Sequence, residues 1–293
     1  MIVGEGDFRY DVVENWGTLP EYFELNDPVD IAVDARDRVY VGSRGNHPVI
    51  IFDRDGQFVS CWGEGRYTDP HGVTIGPDGS VYITDRAANT VDKCTPGGAC
   101  LMTLGTRFKT TPIMERTPFN QPTDLALGAA GELYVCDGYG NFLVHRFSAS
   151  GTLLGTWGDC GKAPGQFALP HRVAVDGRGM VYVVDRNNDR IQVFTPDGEF
   201  VRVWGEFTWP QDLHIDRESG LVYAVETQRG GSNVPRLTIR DPGGKTICAW
   251  DDGRSAGRKI LDNCHCVCVD SRGDIYVGEV ARTRRIQKFV RVR

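Results

Sequence analysis

The sequence predicts an all-β chain folded as a single six-bladed β-propeller over residues 1–293, and three observations carry that expectation. A short phrase built around proline recurs six times along the chain. Each recurrence is followed by runs in which apolar and polar residues alternate, the period of a strand. Thirty-six glycines and fifteen prolines are scattered rather than clustered, which marks many turns and few helices.

The phrase begins as Asp27-Pro28-Val29-Asp30-Ile31-Ala32-Val33. It returns as Asp69-Pro70-His71-Gly72-Val73, Gln121-Pro122-Thr123-Asp124-Leu125, Leu169-Pro170-His171-Arg172-Val173 and Trp209-Pro210-Gln211-Asp212-Leu213. The last copy, Asn263-Cys264-His265-Cys266-Val267, has Cys264 in the proline position. A second strand follows each phrase, as in Val39-Tyr40-Val41 or Val181-Tyr182-Val183. A third follows that, as in Val49-Ile50-Ile51-Phe52 or Ile191-Gln192-Val193-Phe194. A fourth ends in Trp62-Gly63, Trp157-Gly158 or Trp204-Gly205. Four short strands at a spacing of about 40 to 54 residues describe a propeller blade.

The sixth copy reaches only three strands before the chain stops. Residues 10–17, ending in Trp16-Gly17, are the expected fourth strand. Pairing the N-terminus with the C-terminal blade closes the ring and removes an exposed edge. Residues 106–120, 226–235 and 251–262 exceed what tight turns need and are expected to shape the rim of a site.

Composition narrows the function. The net charge of −6 speaks against a nucleic-acid partner. The basic run Arg282, Arg284, Arg285, Lys288, Arg291 and Arg293 reads as a solvated edge. No apolar run approaches the roughly 20 residues that span a bilayer, and the first residues lack a basic and apolar leader. The expectation is a cytoplasmic protein without a membrane partner. Nine cysteines, an odd number, fit free thiols. Cys264, Cys266 and Cys268 alternate along one strand, so they are expected to share a face opposite His265 and to pack between blades.

Three of the six histidines fall at one repeat position: His71, His171 and His265, each directly after the proline position, in blades two, four and six. Alternate blades of a six-fold ring stand a third of a turn apart, so the three imidazoles are expected to converge on the channel axis. Three neutral imidazoles with an open fourth position suit a divalent transition metal such as zinc. His214 has the opposite strand parity and His145 lies in a third strand; both read as structural. His47 sits in a top loop and is a candidate to face the site.

Asp185-Arg186-Asn187-Asn188-Asp189-Arg190-Ile191-Gln192-Val193-Phe194 resembles the NHL repeat, and the resemblance spans about 270 residues. The histidine motifs carry a narrower likeness: the chain resembles the peptidyl-α-hydroxyglycine α-amidating lyases, zinc propellers that cleave the C–N bond of an α-hydroxyglycine to an amide and glyoxylate. That resemblance implies His71, His171 and His265 as zinc ligands. It implies Tyr139, in Asp137-Gly138-Tyr139, as the catalytic tyrosine, and Arg44 and Arg186 as catalytic and substrate-binding arginines. Arg86, His47 and Asn263 are further expected substrate contacts. The sequence departs from the family at Asn263-Cys264-His265-Cys266, where the family has Met-Pro-His-Asp. Cys266 thus replaces an aspartate of the family's structural calcium, leaving backbone carbonyls near Ile31 and Val73 for that ion. The disulfide positions of secreted members hold Gly140, Val183 and Val193, and the expectation is a propeller without a fused monooxygenase domain.

The expected chemistry follows. The metal lowers the pKa of the substrate hydroxyl, Tyr139 handles its proton, and the guanidinium forks bind the substrate carboxylate. Arginine recurs at one blade position as Arg44, Arg86 and Arg186, so a turn preference competes with function there. Asp85, Asp137 and Asp185 read as turn-bonding residues. Two alternatives remain: a hydrolase acting on a lactone or carbonyl through the same metal, and a non-enzymatic interaction propeller.

Overall fold

Six stretches that read as inner strands do form the inner strands: Pro28–Val33, Pro70–Ile75, Pro122–Leu127, Pro170–Val175, Pro210–Ile215 and Cys264–Val269. The structure is a computed structural model that describes residues 1–227, 229, 234–252 and 259–293. Each inner strand starts an antiparallel sheet; in five the strands follow in chain order, the sixth takes in N-terminal strands, and the six sheets are the blades of a six-bladed β-propeller. The second strands, such as Val39–Ser43, Leu133–Asp137 and Ile275–Glu279, are buried along their whole length. That matches their near-continuous apolar sequences, since both faces of a middle strand are covered. Outermost strands such as Leu153–Trp157 are largely exposed.

Contacts divide the chain into two compact units, Met1–Glu64 with Gln211–Arg293, and Gly65–Pro210. In the first unit, Phe8–Val13 pairs antiparallel with Arg285–Arg291, completing the C-terminal blade as expected. The pairing strand is shifted from the expected 10–17. It ends at Val13, because Asn15 takes a left-handed conformation (φ 55°) that leaves the ladder. Trp16 lies beyond that turn, with its N–H on the Ile286 carbonyl (2.8 Å) and its ring against Phe52 and Tyr276. A further strand, Ile2–Glu5, folds back on Phe8–Val13 and makes this blade five-stranded.

The inner strands share an irregularity that positions the site. Pro70 pairs with Asp85, and Gly72 pairs with Thr84, so His71 is skipped. The same shift skips Val29, Thr123, His171 and His265. This is a β-bulge, which bends the strand and re-aims the extra side chain. It also corrects the reading of the cysteine strand. Across the bulge at His265, Cys264 packs with Val267 and Ile275, whereas Cys266 and Cys268 pack with Ile31 and Tyr276. The three thiols therefore do not share a face. None of the nine cysteines is in a disulfide.

Residues 106–120 form a loop leading into the third blade. The other two insertions, 226–235 and 251–262, fall partly outside the described residues, and with them their expected role at the rim. Among the described residues, no helix is long and apolar enough to cross a membrane.

Candidate metal centre

His71 and His171 are fully buried in the unit Gly65–Pro210. The Nδ1 of His71 lies 2.7 Å from the Thr123 carbonyl, the bulge residue of the next blade. A carbonyl only accepts, so Nδ1 carries the hydrogen and Nε2 presents its lone pair. His265, in the other unit, is built the same way: it is buried, with Nδ1 2.7 Å from the Val29 carbonyl, again a bulge residue. At Thr123 and Val29 the bulge turns a carbonyl toward the preceding blade's imidazole. His71 and His171 stand edge to face within one unit, their ring centroids 4.9 Å apart, and His265 keeps the same repeat position in the other. Imidazoles are borderline-soft donors, and a set of three fits a divalent transition metal.

Tyr139 stands over the pair from the second unit. Its hydroxyl is 3.3 Å from His71 Nε2 and 3.2 Å from His171 Nε2. The turn carrying it is sterically dictated. A side chain at Gly138 would collide with the Pro170 carbonyl, and one at Gly140 with Asn120. Asp137, fully buried, accepts from the Asn120 N–H at 2.8 Å, and the Tyr139 N–H donates to the Gln121 carbonyl at 3.3 Å. The insertion 106–120 therefore delivers Asn120, one of the two residues that clamp the tyrosine turn.

The three repeat arginines have different partners. Arg44 lies 3.8 Å from Asp27 and Arg86 Nε donates to Asp69 at 2.7 Å. Both aspartates immediately precede the repeat proline. Before Pro170 that position is Leu169, which offers no carboxylate. Arg186 instead donates to the Tyr139 hydroxyl (3.2 Å) and lies over the rings of Tyr139 and Trp209, each 5.4 Å from the guanidinium carbon. Arg86, held by Asp69, covers the Tyr139 ring at 4.6 Å. Two guanidinium groups thus flank one phenol.

The other expected contacts have partners of their own. His47 stacks on Phe23 (4.0 Å, 9° between planes) and its Nδ1 is 3.0 Å from Glu64. Asn263 is half-buried, its carbonyl accepting from the Val280 N–H. His145 is fully buried between Thr156 (2.9 Å) and Asp137 (3.4 Å). His214 packs edge-on to Tyr223, and burial pushes it down to about 4 from 6.5. Asp85 and Asp185 accept from backbone N–H groups of their blade turns, as turn residues do. Cys266 is buried, its thiol directed at the Pro28 carbonyl at 3.8 Å. A calcium ion requires oxygen ligands, so a thiol at this point does not fit the calcium site the resemblance implied.

Sequence reasoning missed Trp209, Asp69 and Leu169. The signal was present, because all three occupy the residue before the repeat proline and differ in charge from copy to copy.

The NHL repeat model matches residues 119–147 and 167–194. NHL repeat-containing protein 3 of Homo sapiens is 30% identical over 300 residues, covering 97% of this chain and 84% of that protein. The Caenorhabditis elegans protein named "Probable peptidyl-alpha-hydroxyglycine alpha-amidating lyase pgal-1" is 30% identical over 263 residues, covering 84% of this chain and 71% of its own length. Among solved structures, virginiamycin B lyase of Staphylococcus aureus shares the fold, with a TM-score of 0.64 at 14% identity over 97% of this chain and 100% of that one. The chain belongs to the family of NHL-repeat β-propellers that includes NHL repeat-containing protein 3 and the peptidyl-α-hydroxyglycine α-amidating lyases.

Proposed function

We propose that the protein is a metal-dependent lyase that cleaves the C–N bond of an α-hydroxyglycine or related hemiaminal, releasing an amide and glyoxylate. The observation that carries the reading is the Tyr139 hydroxyl, placed between the Nε2 atoms of His71 and His171 and receiving a hydrogen bond from Arg186. The relatives named as amidating lyases support the same chemistry.

His71, His171 and His265 hold the metal, zinc by the chemistry of the donor set. When bound, such an ion lowers the pKa of a hydroxyl brought to it. Tyr139 takes the proton of the substrate hydroxyl, with Arg86 and Arg186 against its ring. The hydroxyl oxygen forms the carbonyl of glyoxylate as the C–N bond breaks. The bonding pair stays on nitrogen, and Tyr139 returns the proton to it. Arg186, braced against Trp209, binds the substrate carboxylate through its planar fork. Arg44 and Asn263 are assigned outer contacts to the rest of a small substrate.

The test is incubation with α-hydroxyhippurate and assay of glyoxylate. Wild-type protein loaded with zinc releases glyoxylate. Tyr139→Phe keeps its metal and loses roughly a hundredfold or more in kcat, the scale of general acid–base catalysis. A Tyr139→Phe variant as fast as wild type, or no glyoxylate from the loaded protein, contradicts the assignment.

A further inference from the structure

A second group of ligating side chains lies in the first blade, within the unit that contains residues 1–64. His47 comes from the loop between the strands Val39–Ser43 and Val49–Phe52, and Cys61 from the outermost strand Phe58–Trp62. Glu64 follows that strand. Their donor atoms converge: His47 Nδ1 to Glu64 Oε1 is 3.0 Å, Cys61 Sγ to Glu64 Oε1 is 3.3 Å, and Cys61 Sγ to His47 Nδ1 is 3.7 Å. A tetrahedral ion with bonds of roughly 2.0 to 2.3 Å spaces its donors roughly 3.3 to 3.6 Å apart. All three separations lie close to that spacing, and the longest are those to sulfur, as the longer metal–sulfur bond requires.

We propose that His47, Cys61 and Glu64 form a second metal site, selective for Zn²⁺ or another thiolate-seeking divalent transition metal. Phe23 stacks flat on the His47 ring and is itself wedged edge-on against Phe58. The imidazole is therefore oriented before any ion arrives, which lowers the ordering cost of binding. Three protein ligands of mixed nitrogen, sulfur and oxygen character leave one position to water, since His47 and Glu64 both reach solvent. Without metal, the thiol is hydrogen-bonded to Glu64, and burial with that bond pushes Cys61 up to about 11. Binding replaces the thiol proton and the imidazole Nδ1 proton with bonds to the ion. The imidazole shifts its proton to Nε2, and the thiol proton leaves to solvent.

Cobalt(II) separates this site from the three-histidine centre, because a thiolate ligand gives a sulfur-to-cobalt charge-transfer band in the near ultraviolet and imidazoles do not. Titration of the metal-free full chain with Co²⁺ gives that band. Cys61→Ser abolishes it, and His47→Ala or Glu64→Gln weakens its titration by at least roughly tenfold, the scale on which even outer-shell partners act. The substituted residues lie at the blade's outer edge, so circular dichroism of each variant matches wild type. A wild-type titration without the band, or a band that survives Cys61→Ser, overturns the proposal.

Discussion

Arg44, Arg86 and Arg186 occupy one repeat position, directly after a blade's second strand, and the residue before the repeat proline sets what each one does. Where that residue is aspartate, the guanidinium is held by the blade; where it is Leu169, the guanidinium reaches Tyr139. Replacing Arg186 with lysine keeps the charge but loses the planar fork. With a charged hydrogen bond worth about 1.5–3 kcal/mol, kcat for glyoxylate release falls about ten- to a hundredfold while bound metal is unchanged, as steady-state assays and metal analysis will show. His214 governs stability instead. Its folded-state value, held at about 4 by burial, lies below the 6.5 of an unfolded chain. The unfolded chain takes up a proton that the folded one refuses, so stability is fully present above pH 6.5 and is lost as pH falls toward 4. His214→Phe removes that loss. Its melting temperature relative to wild type rises as pH drops from 7 to about 4.5, and an unchanged difference across that range would show that burial does not set this histidine's protonation.

Two elements shape the site more than their sequences suggest. The tyrosine turn works because Gly138 lets the chain pass against the Pro170 carbonyl, the residue before His171. Gly138→Ala therefore moves either the Tyr139 turn or the His171 strand. It costs about 1–3 kcal/mol of stability, as overpacking does, and it weakens metal binding, both readable by thermal melts with and without zinc. The N-terminal strands act at the C-terminal blade. Tyr10, fully buried, stacks on Trp250 at 5.4 Å and packs with Phe289 in one core. Tyr10→Ala costs about 3–5 kcal/mol, and deletion of residues 1–13 lowers the melting temperature further by exposing the edge of Arg285–Arg291. A deletion that melts like wild type would mean that this pairing does not hold the blade.

Over the whole molecule, the legible part was the part that repeats. Pro28, Pro70, Pro122, Pro170, Pro210 and Cys264 mark every inner strand, and the histidines behind three of them mark the candidate centre. The bulge was illegible, because strand parity assumes an unbroken two-residue period; hence Cys264, Cys266 and Cys268 were assigned one face and occupy two. Lateral pairs between a loop and a neighbouring strand, such as His47 with Cys61 and Glu64, follow no period either, although all three residues lie within eighteen positions of sequence. The metal centre proposed at His71, His171 and His265 is the feature on which the lyase chemistry stands. Its most direct measurement is the metal content of Cys61→Ser protein, in which the first-blade cluster has lost its thiolate, with and without His171→Ala. About one equivalent of zinc stays with the single variant through gel filtration, as a closed three-imidazole set should ensure, and is lost from the double variant. Equal zinc in both, or none in either after loading, would contradict a metal held by the three histidines.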